Sequence, residues 1–581
     1  MNKIFVLVYV IIKMVIFDFL NLFIAVAIII FLSLITSWRL QMCRRHRRIH
    51  NRRECCRKEL KTLRDHLSVQ NVLITADRRK ILELRCTELL HRLKSRDLKA
   101  VDVLEAYQSA AIAATEDLNC VTQFIKEAKD WAKQLDASSS VKPLHGVPIS
   151  LKENIIISGY DTTIGISKYL TECHTADSNI VKILKALGAV PFCRTNLPQL
   201  MASIGCSNPI YGRTLHPNDK TRTPGGSSGG EGALIGSGGS IVGVGTDLLG
   251  SCRIPASFCG VVGLKPTTNR LSLIGALSGR QGGVGLAEIL GLLGKNVDIV
   301  TEVFKCLTEG QHMYNYDRMC PPITYSINDS TKLKIGYYTD LDFIPTISSV
   351  KNAVRDTVRR LANAGHTVVP FTLPSVDSII KLILQFISSD GSKYFQSQWT
   401  GEDIDPCLRS LYVSSIIPSF VKTIASIILK SKCPQVSLLL KMKSLNTEEL
   451  QKCLYKRYVL QQQVIKTWEE AELDVLITPV LPVVAIPHNI ISELAIVSVY
   501  TGIYNFLDFP SGSVPVGSVT VTDEADIASY PVDGNPLLKM IKNGMKGIEG
   551  LPLSVQVVGL PYEDEKVLNA MKTVESICIR K

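Results

Sequence analysis

Residues 225–251 read GGSSGGEGALIGSGGSIVGVGTDLLGS, with eleven glycines and five serines in 27 positions. A glycine inside a helix or strand costs about 0.5–1 kcal/mol against alanine, so a run this dense serves backbone shape rather than packing. Glycine lets the main chain approach a reacting group closely and turns successive N–H groups toward one spot. The interspersed serines bring hydroxyls to that same spot. A nucleophile flanked by anion-stabilising backbone is the economical explanation.

The bulk properties narrow the setting. The chain has 581 residues, 46% hydrophobic and 20% charged, the balance of a globular protein with a large core. Its formal charge of +12 is local. Residues 39–58 carry nine Lys or Arg and one Glu, which leaves the rest near neutral and argues against a nucleic-acid-binding surface. Ahead of that run, residues 19–38 (FLNLFIAVAIIIFLSLITSW) hold no charge and suffice for one membrane span of about 20 residues. By the positive-inside rule, the large C-terminal part faces the cytosol. A cleaved signal peptide fits less well, because no small-residue cleavage site precedes the arginines. Residues 1–18 form a tail whose own apolar run is broken by Lys13 and closed by Asp18. The sixteen cysteines show no disulfide framework and no zinc-ligand spacing. Cys55 and Cys56, beside the basic run, are either palmitoylated or plain surface thiols.

Residues 39–98 then read as a basic juxtamembrane segment with linker helices, and 99–581 as the catalytic domain. From residue 144 onward, short apolar runs alternate with helical patterns: Val147 to Leu151, Ile180 to Leu187, Val190 to Cys193. Later strand candidates are Lys334 to Tyr338, His366 to Pro370, Val475 to Thr478 and Leu553 to Val557. This alternation predicts an α/β fold with a large, mixed, mostly parallel sheet wrapped by helices. Residues 408–440 carry two apolar segments around Pro418 and Pro434, dotted with Lys422, Lys430 and Lys432. Neither is long enough to span a bilayer. They are either an amphipathic pair lying in the membrane interface or two helices packed on the core.

Three blocks define a family resemblance. The first is Gly146-Val147-Pro148-Ile149-Ser150-Leu151-Lys152-Glu153, and the second is Pro224 to Glu231, with Ser227 and Ser228. The third runs from Gly245-Thr246-Asp247 to Pro255 and on through Cys259-Gly260-Val261-Val262-Gly263-Leu264-Lys265-Pro266-Thr267. Together, and at spacings of 75 residues from Lys152 to Ser227 and 24 from Ser227 to Ser251, they resemble the amidase signature family. That resemblance implies a Ser–Ser–Lys triad: Ser251 as nucleophile, Lys152 as a neutral base, and Ser227, which has a cis peptide bond in the family, relaying the proton between them. It also implies oxyanion donors from the N–H groups of Leu248, Leu249, Gly250 and Ser251, with Ser228, Thr246, Asp247 and Arg253 holding the loop. A neutral lysine requires desolvation, which the apolar residues before Lys152 supply and which Glu153 opposes if it faces the same way. No metal or cofactor enters this chemistry. Gly225-Gly226-Ser227-Ser228-Gly229 also fits a nucleophile elbow, but the lead-in His216 to Pro224 is no strand. A phosphate-binding loop lacks its Gly-Lys-Ser/Thr. His145, His216 and His366 read as core or surface histidines.

Beyond the signature, the chain is similar to the membrane-bound fatty-acid amide hydrolases. The likeness includes Thr195 to Gln199 with Met201, Cys206 to Pro209, Gly336-Tyr337-Tyr338, Asp405 to Leu408 and Asn505 to Pro510. It implies a homodimer on an endomembrane such as the endoplasmic reticulum, with 408–440 as a membrane-contacting cap. Lipid amides would be the substrates, and Met201 would line the pocket. Four departures stand out. Leu248-Leu249-Gly250-Ser251 replaces Ile-Gly-Gly-Ser, and a positive φ at Leu249 would carry about 1–2 kcal/mol of strain. Cys252 replaces isoleucine, Gly291 to Val297 departs from the family segment, and Ala202 is smaller than usual. Against a working lipid amidase stand a weakened paralogue that binds lipid amides and an amidase for other small amides.

Overall fold

Strand Pro148–Lys152 turns the sequence pattern into architecture. Its alternation puts Ile149 and Leu151, both fully buried, into the main hydrophobic cluster. Ser150 and Lys152 point the other way, toward the glycine-rich segment. All five residues are buried, as for a central strand covered on both faces.

The computed structural model describes residues 2–170, 172–323, 325–326 and 332–579. Among the described residues eleven strands form one sheet. In chain order the first are β1 (Val121–Phe124), β2 (Pro148–Lys152) and β3 (Val190–Thr195). A separate two-stranded ribbon, β4 (Ser207–Asn208) and β5 (Gly212–Arg213), follows. The sheet resumes with β6 (Val242–Asp247), β7 (Val262–Lys265), β8 (Ile289–Gly294), β9 (Lys334–Tyr337) and β10 (Thr367–Pro370). It closes with β11 (Val475–Pro479), β12 (Ser511–Ser518) and β13 (Pro552–Val558). The spatial order is β1-β3-β2-β6-β8-β7-β12-β13-β11-β9-β10.

The sheet is mixed, and its parallel pairing lies in two blocks, β3-β2-β6 and β11-β9-β10. The strands between them pair antiparallel. Connection chemistry explains the division, since parallel neighbours need a crossover and antiparallel neighbours do not. Helix Asn179–Ala186 carries β2 over to β3, and helix Ser348–Asn363 carries β9 over to β10. Between β7 and β8 no helix intervenes. The apolar run Ile180 to Leu187 is therefore a crossover helix, with Ile180, Val181, Ile183 and Leu184 buried. The other strand candidates lie within a residue or two of the observed elements.

The chain falls into two compact units, Met1–Glu54 and Cys55–Lys581. The first belongs to a helix running Asn2–Leu67 without a break at Lys13 or Asp18. Its most apolar 18-residue window has a mean hydropathy of 2.8 and is wholly exposed, so this helix is long and apolar enough to cross a membrane.

In the second unit, residues 408–440 form helices Arg409–Ile416, Ser419–Leu429 and Pro434–Leu440. The first two meet at 109° around Pro418. Helix Ser419–Leu429 is inside out. Phe420, Ile424, Ile427 and Ile428, spaced as one helical face, are 55–69% exposed. The polar Ser426 is buried, and its hydroxyl meets that of Ser437 at 3.0 Å.

Candidate active site

Lys152 ends β2, fully buried, and three groups receive its amine. Nζ lies 2.6 Å from Ser227 Oγ, 2.9 Å from Thr246 Oγ1 and 3.4 Å from the Thr246 carbonyl. Burial holds the amine below the ordinary lysine range, and nearby Cys252, Glu288, Asp247 and Cys206 oppose that shift. Glu153 does not share this space. Its carboxylate accepts from the Thr163 N–H (2.6 Å), the Thr163 hydroxyl (2.8 Å) and the Ile164 N–H (3.0 Å), with Arg194 at 3.9 Å. The turn after β2 sends it to the opposite side, so it does not keep Lys152 charged.

The glycine-rich segment wraps this amine. The peptide bond between Gly226 and Ser227 is cis, as the family resemblance implies. Helix Gly229–Gly236 follows, and its Glu231 turns back to accept from Ser150 Oγ (2.5 Å) and Thr195 Oγ1 (2.8 Å). Gly243 of β6 makes that possible, because a Cβ there would lie 1.9 Å from the Glu231 carboxylate. Ser228 donates its N–H to the Ser251 carbonyl (3.1 Å) and lies 3.4 Å from the Thr246 carbonyl, tying the two serine segments together.

Asp247 organises the next loop. Its carboxylate accepts from the N–H groups of Gly250 (2.7 Å) and Cys252 (3.0 Å), from Arg253 (2.9 and 3.1 Å) and from Asn505 (3.0 Å). Burial pushes this carboxyl up, but Arg253 and these donors outweigh it and hold the group well below the usual carboxylate range. Arg253 in turn donates to the Thr501 carbonyl, Gln556 and Asn505. The loop is therefore anchored to residues some 250 positions downstream. Sequence reasoning noted Asn505 only as part of the resemblance and assigned it no task; Thr501 and Gln556 carry no local signal.

Of the four expected oxyanion donors, the N–H groups of Leu248, Leu249 and Ser251 have no partner among the described residues, whereas that of Gly250 is committed to Asp247. The expected strain at Leu249 is absent, because the positive φ falls on Gly250, at 110°. Leu249 keeps ordinary backbone, its carbonyl accepts from Thr501 Oγ1 at 2.6 Å, and its side chain packs against Gly502. Gly250 has no such latitude: a Cβ there would lie 2.2 Å from Thr501 Oγ1. Gly250→Ala is expected to destabilise the protein by about 1–3 kcal/mol, seen as a lower urea midpoint. Cys252 packs its thiol between Gly245 and Gly291, where a Cβ on either glycine would come within 3.0 and 2.8 Å of the sulfur.

Ser227, Ser251, Thr246, Leu248, Leu249 and Met201 line one cavity of about 490 Å³. The Ser251 hydroxyl is partly exposed there and makes no hydrogen bond among the described residues. Thr246 Oγ1 approaches Met201 Sδ at 3.8 Å. Ala202 also lines the cavity, on the same stretch as Met201. Farther from the serines the wall is apolar, with Ile383, Leu384, Leu411, Val436 and Leu439 reaching the 409–440 helices. Arg280 and Glu288, missed by the sequence reading, also face this space. His145, His216 and His366 lie away from it; His216 is buried with Nε2 2.8 Å from the Phe258 carbonyl.

A buried lysine paired with one serine, beside a second serine and unsatisfied backbone donors, can deliver a nucleophile and stabilise an oxyanion. An Amidase family model matches residues 102–568, and the chain belongs to that family. It is an amidase by this membership. Fatty-acid amide hydrolase 1 of Sus scrofa is 33% identical over 507 residues, 86% of this chain and 87% of the relative. An acetamidase of Emericella nidulans is 30% identical over 514 residues, 84% and 88% of the two chains. The solved structure of a fatty acid amide hydrolase shares the fold, with a TM-score of 0.78 and 24% identity over 91% of this chain and 94% of that one.

Proposed function

We propose that this chain is a membrane-anchored serine amidase that hydrolyses lipid amides such as N-acylethanolamines and primary fatty amides. The observation carrying it is one cavity, bordered by Ser227 and Ser251, whose apolar wall runs out to helices Arg409–Ile416 and Pro434–Leu440, the second of which packs against the outward-facing apolar helix Ser419–Leu429. In this reading Ser251 Oγ attacks the amide carbonyl and gives its proton to Ser227 Oγ, which passes its own to neutral Lys152. The N–H groups of Leu248, Leu249 and Ser251 receive the developing oxyanion. Lys152 returns the proton through Ser227 to the departing amine, and water then releases the fatty acid from the acyl-enzyme. Leu248, Leu249, Ser251 and Met201 form the substrate-binding wall, Gly250 turns the loop behind it, and Ser228, Thr246, Asp247 and Arg253 keep the loop in shape.

Each methylene removed from water contributes about 0.8 kcal/mol, so an acyl chain favours bilayer or cavity over solution. Entry from the membrane fits the exposed face of Ser419–Leu429 and the apolar N-terminal helix. The arginines that follow its uncharged stretch, within the same helix, support single-pass anchoring with the catalytic part in the cytosol, and the resemblance supports an endomembrane location and a homodimer.

The likeness to an acetamidase favours a second reading, an amidase for short amides that is merely tethered. A hydrolysis panel from acetyl to long acyl ethanolamides separates the two. Lipid-amide activity predicts kcat/KM rising severalfold with each added pair of methylenes, and a flat profile overturns it.

A further inference from the structure

Arg280 is a cation in the cavity wall that the mechanism above leaves without a task. The chain is tied to the site just ahead of it, through Asn154, two residues beyond Lys152. The Leu277 N–H donates to the Asn154 carbonyl (2.8 Å), and Asn154 Nδ2 donates to the Leu277 carbonyl (3.0 Å). Nδ2 also lies 3.4 Å from Thr246 Oγ1, the hydroxyl that meets the Lys152 amine. Three residues span at most about 11 Å, so this anchor keeps the Arg280 backbone close to the site. Arg280 borders the main cavity together with Ser227 and Ser251, and also a smaller adjoining one of about 210 Å³ that shares Leu248.

Part of the guanidinium has a structural role. Nη2 donates to the Phe386 carbonyl and to Ser389 Oγ (3.2 Å), which caps the end of helix Val376–Ile387. The other terminal nitrogen, Nη1, is buried and makes no hydrogen bond among the described residues. No carboxylate lies within ion-pair distance of Arg280 among those residues. Asp390, two positions past the end of that capped turn, is occupied by the N–H groups of Ser392 (2.9 Å) and Tyr394 (2.8 Å). Glu288 borders the same two cavities without pairing with Arg280, and burial pushes its carboxyl up, toward the neutral acid. A guanidinium stays charged at any working pH, so the wall keeps an uncompensated positive charge.

The smaller cavity shows which part of a substrate meets this charge. It contains none of the apolar residues of helices Arg409–Ile416 and Pro434–Leu440 that line the main cavity, and it is bordered by the exposed residues Gln281, Gly282 and Gly283. With the scissile carbonyl at Leu248, Leu249 and Ser251 and the acyl chain along the apolar wall, the amine half is left to face this branch. We propose that Arg280 is a specificity determinant: its unpaired positive charge favours amides whose amine half carries an acidic group, such as the carboxylate of an N-acyl amino acid. This rests on the amidase reading and names a substrate class within it. A carboxylate near an unpaired guanidinium in a partly desolvated wall gains a Coulomb attraction that a neutral hydroxyl does not.

The test measures kcat/KM of full-length protein in membranes for two palmitoyl amides of similar size, the anionic N-palmitoylglycine and the neutral N-palmitoylethanolamine. Arg280→Gln and Arg280→Met are both expected to lower the glycine-to-ethanolamine ratio about tenfold. Arg280→Lys keeps the charge and stays near the wild-type ratio. Loss of the cap on helix Val376–Ile387 affects both reactions alike and cancels in the ratio, and two neutral variants guard against one that folds poorly. A ratio shared by wild-type and neutral variants would overturn this inference alone, as would wild-type protein that cleaves the ethanolamide and not the glycine amide. Wild-type protein that cleaves neither amide and never labels with a fluorophosphonate would overturn it together with the amidase reading.

Discussion

Ser251→Ala loses all fluorophosphonate labelling and lowers amide turnover by about 10⁴-fold or more. The side chain removed is small, and its hydroxyl makes no hydrogen bond among the described residues, so folding is expected to be unaffected. Its backbone carbonyl, which accepts from Ser228, is retained in alanine. The uncommitted N–H groups of Leu248 and Leu249 also survive, so the variant should still bind substrate. Equilibrium binding of a non-hydrolysable acyl amide, unchanged from wild type while turnover vanishes, checks this. Residual labelling in Ser251→Ala would place the nucleophile elsewhere. Wild-type protein that binds but never labels would favour the weakened-paralogue reading, although the absence of strain at Leu249 removes one reason for expecting weakness.

Lys152→Ala is the second large effect, a fall of about 10²–10⁴-fold in kcat/KM, the range ascribed to a positioned general base. Unlike the serine, this side chain holds two partners, Ser227 and Thr246, and its loss also leaves a buried void. Stability therefore drops as well, and the two effects are separated by pH. Because burial lowers the amine's proton affinity, wild-type activity rises as pH climbs through a value below that of a free lysine. In Lys152→Ala that rise disappears at every pH where the protein remains folded. Lys152→Arg is no rescue, since a guanidinium stays protonated and cannot accept from Ser227. Undiminished turnover in either variant would remove Lys152 from the proton path.

Much of the site was legible because its chemistry is local in sequence. The alternation in Val147-Pro148-Ile149-Ser150-Leu151-Lys152 already separates core-facing from site-facing residues, and β2 keeps that separation. The spacing of the three signature blocks brought Lys152, Ser227 and Ser251 into one proposal, and all three side chains border one cavity or its immediate wall. The strand candidates near 334, 366, 475 and 553 were equally readable, since β-branched runs bounded by turn residues announce themselves. The division of parallel and antiparallel pairing was not, because it depends on which connections cross the sheet.

What the residues alone determined about this protein is the inventory: a lysine after an apolar strand, two serines among glycines, an uncharged N-terminal stretch and a basic run behind it. Only the three-dimensional arrangement decided how those parts are used. It gave the positive φ to Gly250 rather than Leu249, turned Glu153 away from the amine and committed one of four backbone donors to Asp247. The physical reason is range. Apolar periodicity and glycine content act within a few residues, whereas these outcomes come from cross-strand register and from hydrogen bonds to partners such as Asn505 and Gln556, some 250–300 positions away.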